Sequence, residues 1–382
     1  MKNINKVLAI HYHTVVGVKN KQMTVEFYTG LWIESLAKKF KKIILIAFTD
    51  NTNYKFELNS SNVEIIDLGP KPTRFKNFYT NFPKYYNILI KNINHIDCLG
   101  VRMPTPLGVF ISFIFRRLPK FFYIIGSMPD IIKSSDENLV KKGILYLFWR
   151  LDQHLYRMFK NNTVFIGNNE NYKNKFSYIK DMKTIPTSTI SKSDIINKPR
   201  TLNGSNLRLI FIGRVDVEKG LGYLIEAASM LYKKDIRFSL KIVGVKDDSK
   251  KRILENLIKK HNLLKFVKLI PFTNEINEIF AHLDKSDLLI IPSIWDSQPR
   301  VAWEAMARGV PVLASKGVQS LQNEKPGTLI FETKSARSIF ELIIRVKSSK
   351  IKYYELSKEG LNLALSKTLE NSTEMLLKEV KF

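Results

Sequence analysis

Cysteine is almost absent from this chain: Cys98 is the only one in 382 residues. One thiol excludes a disulfide framework and a multi-thiolate metal site, and both exclusions suit a reducing cytoplasm. Cys98 itself reads as a small core hydrophobe. Long hydrophobic runs are also missing. The longest, residues 107–115, stops at Arg116 and Arg117, well short of the roughly 20 apolar residues of a spanning helix, so the chain is expected not to cross a membrane. The polar first residues run straight into a strand-like 7–10 without a signal peptide's apolar stretch, so no cleaved leader is expected. Acidic residues are scarce beside basic ones, 35 against 61, for a net charge of +26. The excess leans to one half: 31 basic and 14 acidic residues up to position 200 (+17), against 30 and 21 beyond it (+9). Such a field attracts nucleic acid, an anionic membrane surface or phosphorylated substrates, and charge alone does not choose among them.

Apolar, β-branched sequence is plentiful. A hydrophobic fraction of 45% with 25% charged residues belongs to a folded globular protein, and the length is too great for one ordinary core. Apolar runs recur at 7–10, 43–48, 63–68, 121–125 and 163–166, then at 207–212, 238–243, 267–270, 288–291 and 311–314. Runs this apolar are buried on both faces and predict parallel sheets. Helical spacing of apolar residues separates them at 221–232, 250–261, 275–283 and 336–346. The reading is two α/β sheets in series. An acceptor-side domain is expected over residues 1–199 and a second over 200–350, with terminal helices over 351–382 packing back toward the first.

Two constellations carry chemistry. The strand 207–212 ends at Gly213, Arg214 follows at once, and Lys219 stands five positions later beside Gly220, where a helix opens. Open α/β sheets bind ligands at the carboxyl ends of their strands. Arg214 offers a planar fork and Lys219 a point charge, a pair suited to a diphosphate, and helix-start N–H groups add to the same field. Two solvated cations in a turn would have the same sequence. In the second constellation the strand 288–291 runs out at Pro292, and a polar loop follows through Asp296, Ser297 and Gln298. A helix opens near Pro299 and is ended by Gly309 and Pro311. Glu304 lies on a segment otherwise made of Ala, Val, Trp and Met, and a carboxylate buried there without donors costs several kcal/mol. Sugar hydroxyls could supply the donors; so could Arg300 or Arg308, four residues to either side.

These stretches resemble the retaining glycosyltransferases of family 4, whose second domain carries G-R-x4-K-G and later P-S-x-x-E-x7-E-A-M-A-x-G-x-P-V. Here the first is Gly213-Arg214 through Lys219-Gly220. The second is Pro292-Ser293 through Asp296, Glu304-Ala305-Met306-Ala307, Gly309 and Pro311-Val312. The resemblance runs over roughly residues 207–331. It implies an α/β fold of two Rossmann-like domains with parallel sheets, the GT-B architecture, and an inter-domain cleft. It also implies that Arg214 and Lys219 hold the donor diphosphate, that Glu304 binds the ribose diol, and that Asp296 contacts the transferred sugar. Gly213, Gly244, Val245 and Phe272 would frame the nucleotide, with Ser297, Gln298, Arg300 and Val301 beside the acidic pair. The chain departs from the pattern in having Asp296 for the usual glutamate and Ser297-Gln298 where a Gly-Phe pair is common, which leaves donor identity open. In the N-terminal half, Gly17 follows the first strand alone and the later site reads Gly126-Ser127 without a histidine. Gly17, Gly126, Ser127 and His13 are its candidate cleft residues.

The implied activity is transfer of a hexose from a nucleoside-diphosphate sugar, with retention, to a glycan or polyprenyl-diphosphate-linked acceptor in bacterial surface polysaccharide synthesis. No cofactor beyond that co-substrate and no essential metal is expected, because the carboxylates do not group with histidines at ligand spacing. Aromatics and cations interleave at 74–79, 113–118 and 145–160, a pattern suited to peripheral attachment on an anionic membrane surface at the cytoplasmic face. Nucleic acid is not an expected partner, although a basic nucleic-acid-binding protein, a sugar-nucleotide epimerase and a non-catalytic binding subunit remain alternatives.

Overall fold

The computed structural model describes residues 4–20, 22–73, 80–103, 105–124, 163–167, 181–273, 275–296, 298–322 and 327–380, with isolated residues between 138 and 179. It divides into two compact units, Met1–Pro186 with Ser372–Phe382, and Thr187–Asn371.

The strands of the first unit are β1 (Ile4–Lys19), β2 (Gln22–Val25), β3 (Phe40–Asp50), β4 (Phe56–Glu57), β5 (Val63–Asp67), β6 (Cys98–Met103), β7 (Lys120–Ile124), β8 (Thr163–Gly167) and β9 (Lys183–Thr184). A parallel sheet runs β5-β3-β1-β6-β7-β8-β9. Antiparallel β2 and β4 continue from the far end of β1. Side chains alternate across the sheet with a period of two. Ile43, Leu45 and Ala47 therefore enter one core, and Ile44, Ile46 and Phe48 the other. Helices α1 (Phe27–Ala37), α2 (Phe82–Lys91) and α3 (Pro106–Ile114) lie in this unit. α3 starts because Thr105 caps it, accepting from the Gly108 N–H, with Pro106 in the first turn. Cys98 is fully buried, and its thiol is pushed up to about 12, first by burial.

The second unit repeats the plan with β10 (Leu207–Ile212), β11 (Phe238–Val245), β12 (Val267–Pro271), β13 (Leu288–Ile291), β14 (Val312–Ser315) and β15 (Thr328–Phe331). All are parallel, in the order β12-β11-β10-β13-β14-β15. The helices of this half are α4 (Leu221–Lys233), α5 (Asp248–Lys260), α6 (Ile276–Asp284), α7 (Arg300–Ala307), α8 (Ala336–Lys347), α9 (Lys350–Ser366) and α10 (Leu369–Val380). Leu207, Leu209 and Phe211 face the core under α4 and α8, and Ile210 faces the one under α6 and α7.

The division falls ahead of the 199/200 boundary expected from sequence, because residues after Pro186 serve the second core. Ile190 is fully buried among α6 and α7 side chains, the Ile196 N–H donates to the Ala307 carbonyl at 3.0 Å, and the Arg200 guanidinium donates to the last carbonyls of α6. The terminal helices also split. Tyr353 and Leu356 of α9 pack in the second unit, whereas Leu376 and Val380 of α10 pack in the first. In the segment 113–118, Phe115 is core and Phe113 is half-exposed against Phe159; residues 74–79 and most of 145–160 lie outside the described residues. No helix among the described residues is long and apolar enough to cross a membrane.

Candidate functional site

The strand order of the second sheet reverses between β10 and β13, the place where open α/β sheets hold ligands beyond their carboxyl ends. Both motif loops leave the sheet there. The loop after β10 makes one 3-10 turn, Val217–Lys219, and passes into α4 at Gly220, whose φ of +67 is left-handed. A Cβ at Gly220 would stand 2.0 Å from the Pro292 carbonyl oxygen, so only glycine lets the two loops touch. Gly244, with φ +127, does the same for β11, since its Cβ would lie 1.9 Å from the Gly213 oxygen. Backbone bonds complete the clip: Ile294 N–H to Glu218 O at 2.7 Å, Asp296 N–H to Gly317 O at 3.0 Å and Gln319 N–H to Asp296 O at 2.9 Å.

On this frame the Lys219 ammonium donates to the Asp296 carboxylate at 2.7 Å, and both side chains are only 14% exposed. Arg214, by contrast, is 69% exposed and lies between Asp216 at 3.3 Å and Glu218 at 3.1 Å. Asp216 also accepts from Lys250, and that bond is the first cause holding its carboxyl below the usual range. Two cations and their carboxylates thus converge where β10 and β13 end.

Glu304 sits behind them on α7, 2% exposed. Arg308 does not pair with it: that guanidinium engages Asp284 through two bonds of 2.8 Å. Glu304 instead accepts from the Thr189 hydroxyl at 2.7 Å. Burial raises its pKa, while the Thr189 bond and then the charge of Arg300 pull the other way. Two residues before Thr189, the Thr187 hydroxyl donates to the side-chain oxygen of Gln298 at 2.6 Å. Thr187 and Thr189 were not legible as partners in the sequence, because nothing in the local pattern links them to positions more than a hundred residues away. Their signal was only a run of three hydroxyl residues, Thr187-Ser188-Thr189, between apolar neighbours.

The other expected residues fall as follows. Val301, in the first turn of α7, packs against the core. Phe272 is 41% exposed, its N–H bonds the Val245 carbonyl, and Lys246 lies 4.8 Å over its ring, so the 244–245 and 271–273 loops are neighbours. Ser297, Gly126, Ser127 and the side chain of His13 lie outside the described residues. Gly17 corrects the expected loop after the first strand: β1 continues through it, pairing it with Thr24 and Asp50. A Cβ there would meet the Thr52 carbonyl at 1.8 Å, so close backbone packing accounts for the glycine. Among the described residues no three His, Cys, Asp or Glu side chains gather to hold a metal ion.

Residues 192–362 match the family model described as glycosyl transferases group 1, a span enclosing Arg214, Lys219, Asp296 and Glu304. The chain carries a glycosyl transferases group 1 domain. Thr187 and Thr189 stand just outside the matched span of this group 1 domain, although they bond residues within it. Protein CapJ of Staphylococcus aureus is 24% identical over 326 residues, covering 81% of this chain and 78% of CapJ. The Escherichia coli UDP-Gal:alpha-D-GlcNAc-diphosphoundecaprenol alpha-1,3-galactosyltransferase is 29% identical over 166 residues, 42% of either chain. Several curated relatives, that enzyme among them, are matched over only about two fifths of their own length. In fold, the chain is similar to Anabaena HepE in complex with UDP, with TM-score 0.69 and 16% identity over 98% of this chain and 99% of HepE. The group 1 domain and its partner unit thus form a GT-B fold.

Proposed function

We propose that the protein transfers a hexose from a nucleoside-diphosphate sugar to a glycan or polyprenyl-diphosphate-linked acceptor, with retention, in the building of bacterial surface polysaccharide. The observation that carries this reading is the Lys219–Asp296 pair at 2.7 Å, set at the strand-order reversal beside Arg214 with Glu304 behind it. A diphosphate would take over the guanidinium face that Asp216 and Glu218 now neutralise, and the ammonium of Lys219, five residues on in the same loop, would meet it as a second cation. Developing negative charge on the leaving diphosphate is then stabilised by fixed cations, which together with orientation is the main catalytic contribution. Asp296 and Glu304 are acceptors for sugar hydroxyls. The HepE complex with UDP supports a nucleotide donor, and the diphosphoundecaprenol acceptor in the galactosyltransferase's name supports the acceptor class. Retention rests on the family 4 motif. On this reading the enzyme works at the cytoplasmic face of the membrane and needs no metal.

The test is incubation of purified protein with UDP-, GDP- and ADP-hexoses and a polyprenyl-diphosphate-linked glycan in EDTA, with the anomeric configuration of the product read by NMR. Transfer with retention is expected. Free nucleotide and an epimerised sugar formed without acceptor would assign an epimerase instead, and donor binding with no product from any acceptor would assign a non-catalytic subunit. Sedimentation with anionic vesicles that ignores salt would remove the membrane part of the reading.

A further inference from the structure

The same strands carry a second cluster of cations toward their opposite, amino-terminal ends. Arg208 lies on β10 beside Ser239 of β11, and Lys241 of β11 lies between Ile210 and Lys268 on its two neighbours. Alternation sends Leu207 and Leu209 into the core under α4, so Arg208 and Lys241 point to the other face, next to the end of α6. Lys285 follows α6 directly. With Asn206, Ser239 and Ser286 these cations line a cavity of about 290 Å³.

The charges there are poorly balanced. Arg208 is answered by the buried Asp287, its Nε donating at 3.0 Å and a terminal nitrogen at 2.5 Å. Among the described residues no ion pair joins Lys241, Lys268 or Lys285 to a carboxylate. Lys241 is half-buried, and its pKa is lowered by burial first and then by Lys285, Lys268 and Arg208. His282, on the last turn of α6, is lowered by burial and then by Lys241, with Glu278 opposing. Three cations, Arg208, Lys241 and Lys285, line the pocket with two serine hydroxyls, and one committed carboxylate, Asp287, stands against them.

We propose that this cavity binds a phosphate group, carried by a small phosphorylated molecule or by a phospholipid headgroup. A water takes about 30 Å³ of liquid, so a phosphate bearing a few polar atoms fits the volume. Lys241 and Lys285 supply charge from two sides, while Ser239 and Asn206 supply neutral donors.

The experiment uses the full chain carrying Arg214→Ala, so that the site at the other end of the strands contributes little. Thermal unfolding is followed against inorganic phosphate and glycerol 3-phosphate, each replacing chloride at constant ionic strength. Sedimentation with phosphatidylglycerol vesicles, against phosphatidylcholine vesicles, is measured in parallel. A saturable rise in Tm is expected, and Lys241→Met with Lys285→Met should weaken it at least tenfold in concentration; methionine keeps the buried stem and removes the charge. Without phosphate the double variant should melt no lower than its parent, because repulsion has been relieved. Lys285→Met alone, at an exposed position, should show a partial loss and serves if the double variant misfolds. A lysine-dependent Tm rise without vesicle binding assigns a soluble phosphate, and lysine-dependent vesicle binding assigns the headgroup. Identical phosphate response and vesicle binding in parent and variants would overturn the proposal.

Discussion

Replacing Thr189 by valine removes one hydroxyl and little else, since the side chains are nearly isosteric. That hydroxyl is 2.7 Å from a Glu304 carboxylate that is 2% exposed, and a hydrogen bond to a charged group contributes about 1.5–3 kcal/mol. At ~2–4 °C per kcal/mol for a unit of this size, Tm should fall by ~3–12 °C. The effect depends on pH in a definite direction. Burial raises the folded-state pKa of Glu304 above its ordinary 4.5, so the folded chain holds this proton more tightly than the unfolded one. The resulting stability is complete below the unfolded value and is lost as pH rises through the folded value. Valine removes a group that favours the carboxylate, so it raises the folded pKa further. The cost of Thr189→Val should therefore grow as pH rises through the folded pKa and shrink toward a neutral hydrogen bond, about 0.5–1.5 kcal/mol, once Glu304 is protonated. Urea unfolding of wild type, Thr189→Val, Glu304→Gln and the double variant at pH 5 and pH 8 closes the cycle. Equal costs for Thr189→Val at both pH values and in both backgrounds would refute the assignment of this hydroxyl to the carboxylate.

Arg214→Ala should leave stability nearly unchanged, because its partners are surface carboxylates and such pairs contribute ~0–1 kcal/mol. Calorimetry should show affinity for the nucleoside diphosphate lowered by roughly ten- to a hundredfold, the loss of one charged contact; unchanged affinity would count against the diphosphate role. Gly220→Ala combines a left-handed φ with a methyl 2.0 Å from the Pro292 oxygen. It should cost at least about 1–3 kcal/mol in urea unfolding and weaken nucleotide binding through its neighbour Lys219; wild-type behaviour in both would mean that the two loops are not clipped as described. Cys98, fully buried with its thiol near 12, should resist a thiol reagent at pH 8 until denaturant is added, and rapid native labelling would contradict its burial.

Much of the architecture is legible in sequence because parallel strands buried on both faces must be continuously apolar. Residues 207–212 and 288–291 therefore declare β10 and β13 at nearly their true bounds. β1 is the contrast: the apolar run covers 7–10, yet the strand continues to Lys19 because its far end pairs with β2, a contact that polar residues make as well as apolar ones. The two site loops are legible for a local reason too, since glycines, a proline and charges at strand ends must sit together in any open α/β sheet.

The sequence by itself thus determined two α/β halves, the places where their sheets begin again, and the cations and carboxylates set at the strand ends. Which charge meets which partner was decided only in three dimensions. Glu304 had equally spaced arginines to either side, yet burial between α7 and the incoming chain handed it to Thr189, while Arg308 turned outward to Asp284. Local spacing defines which partners are within reach along a helix. The choice among them belongs to whichever distant segment packs on that face, and only the folded chain brings that segment there.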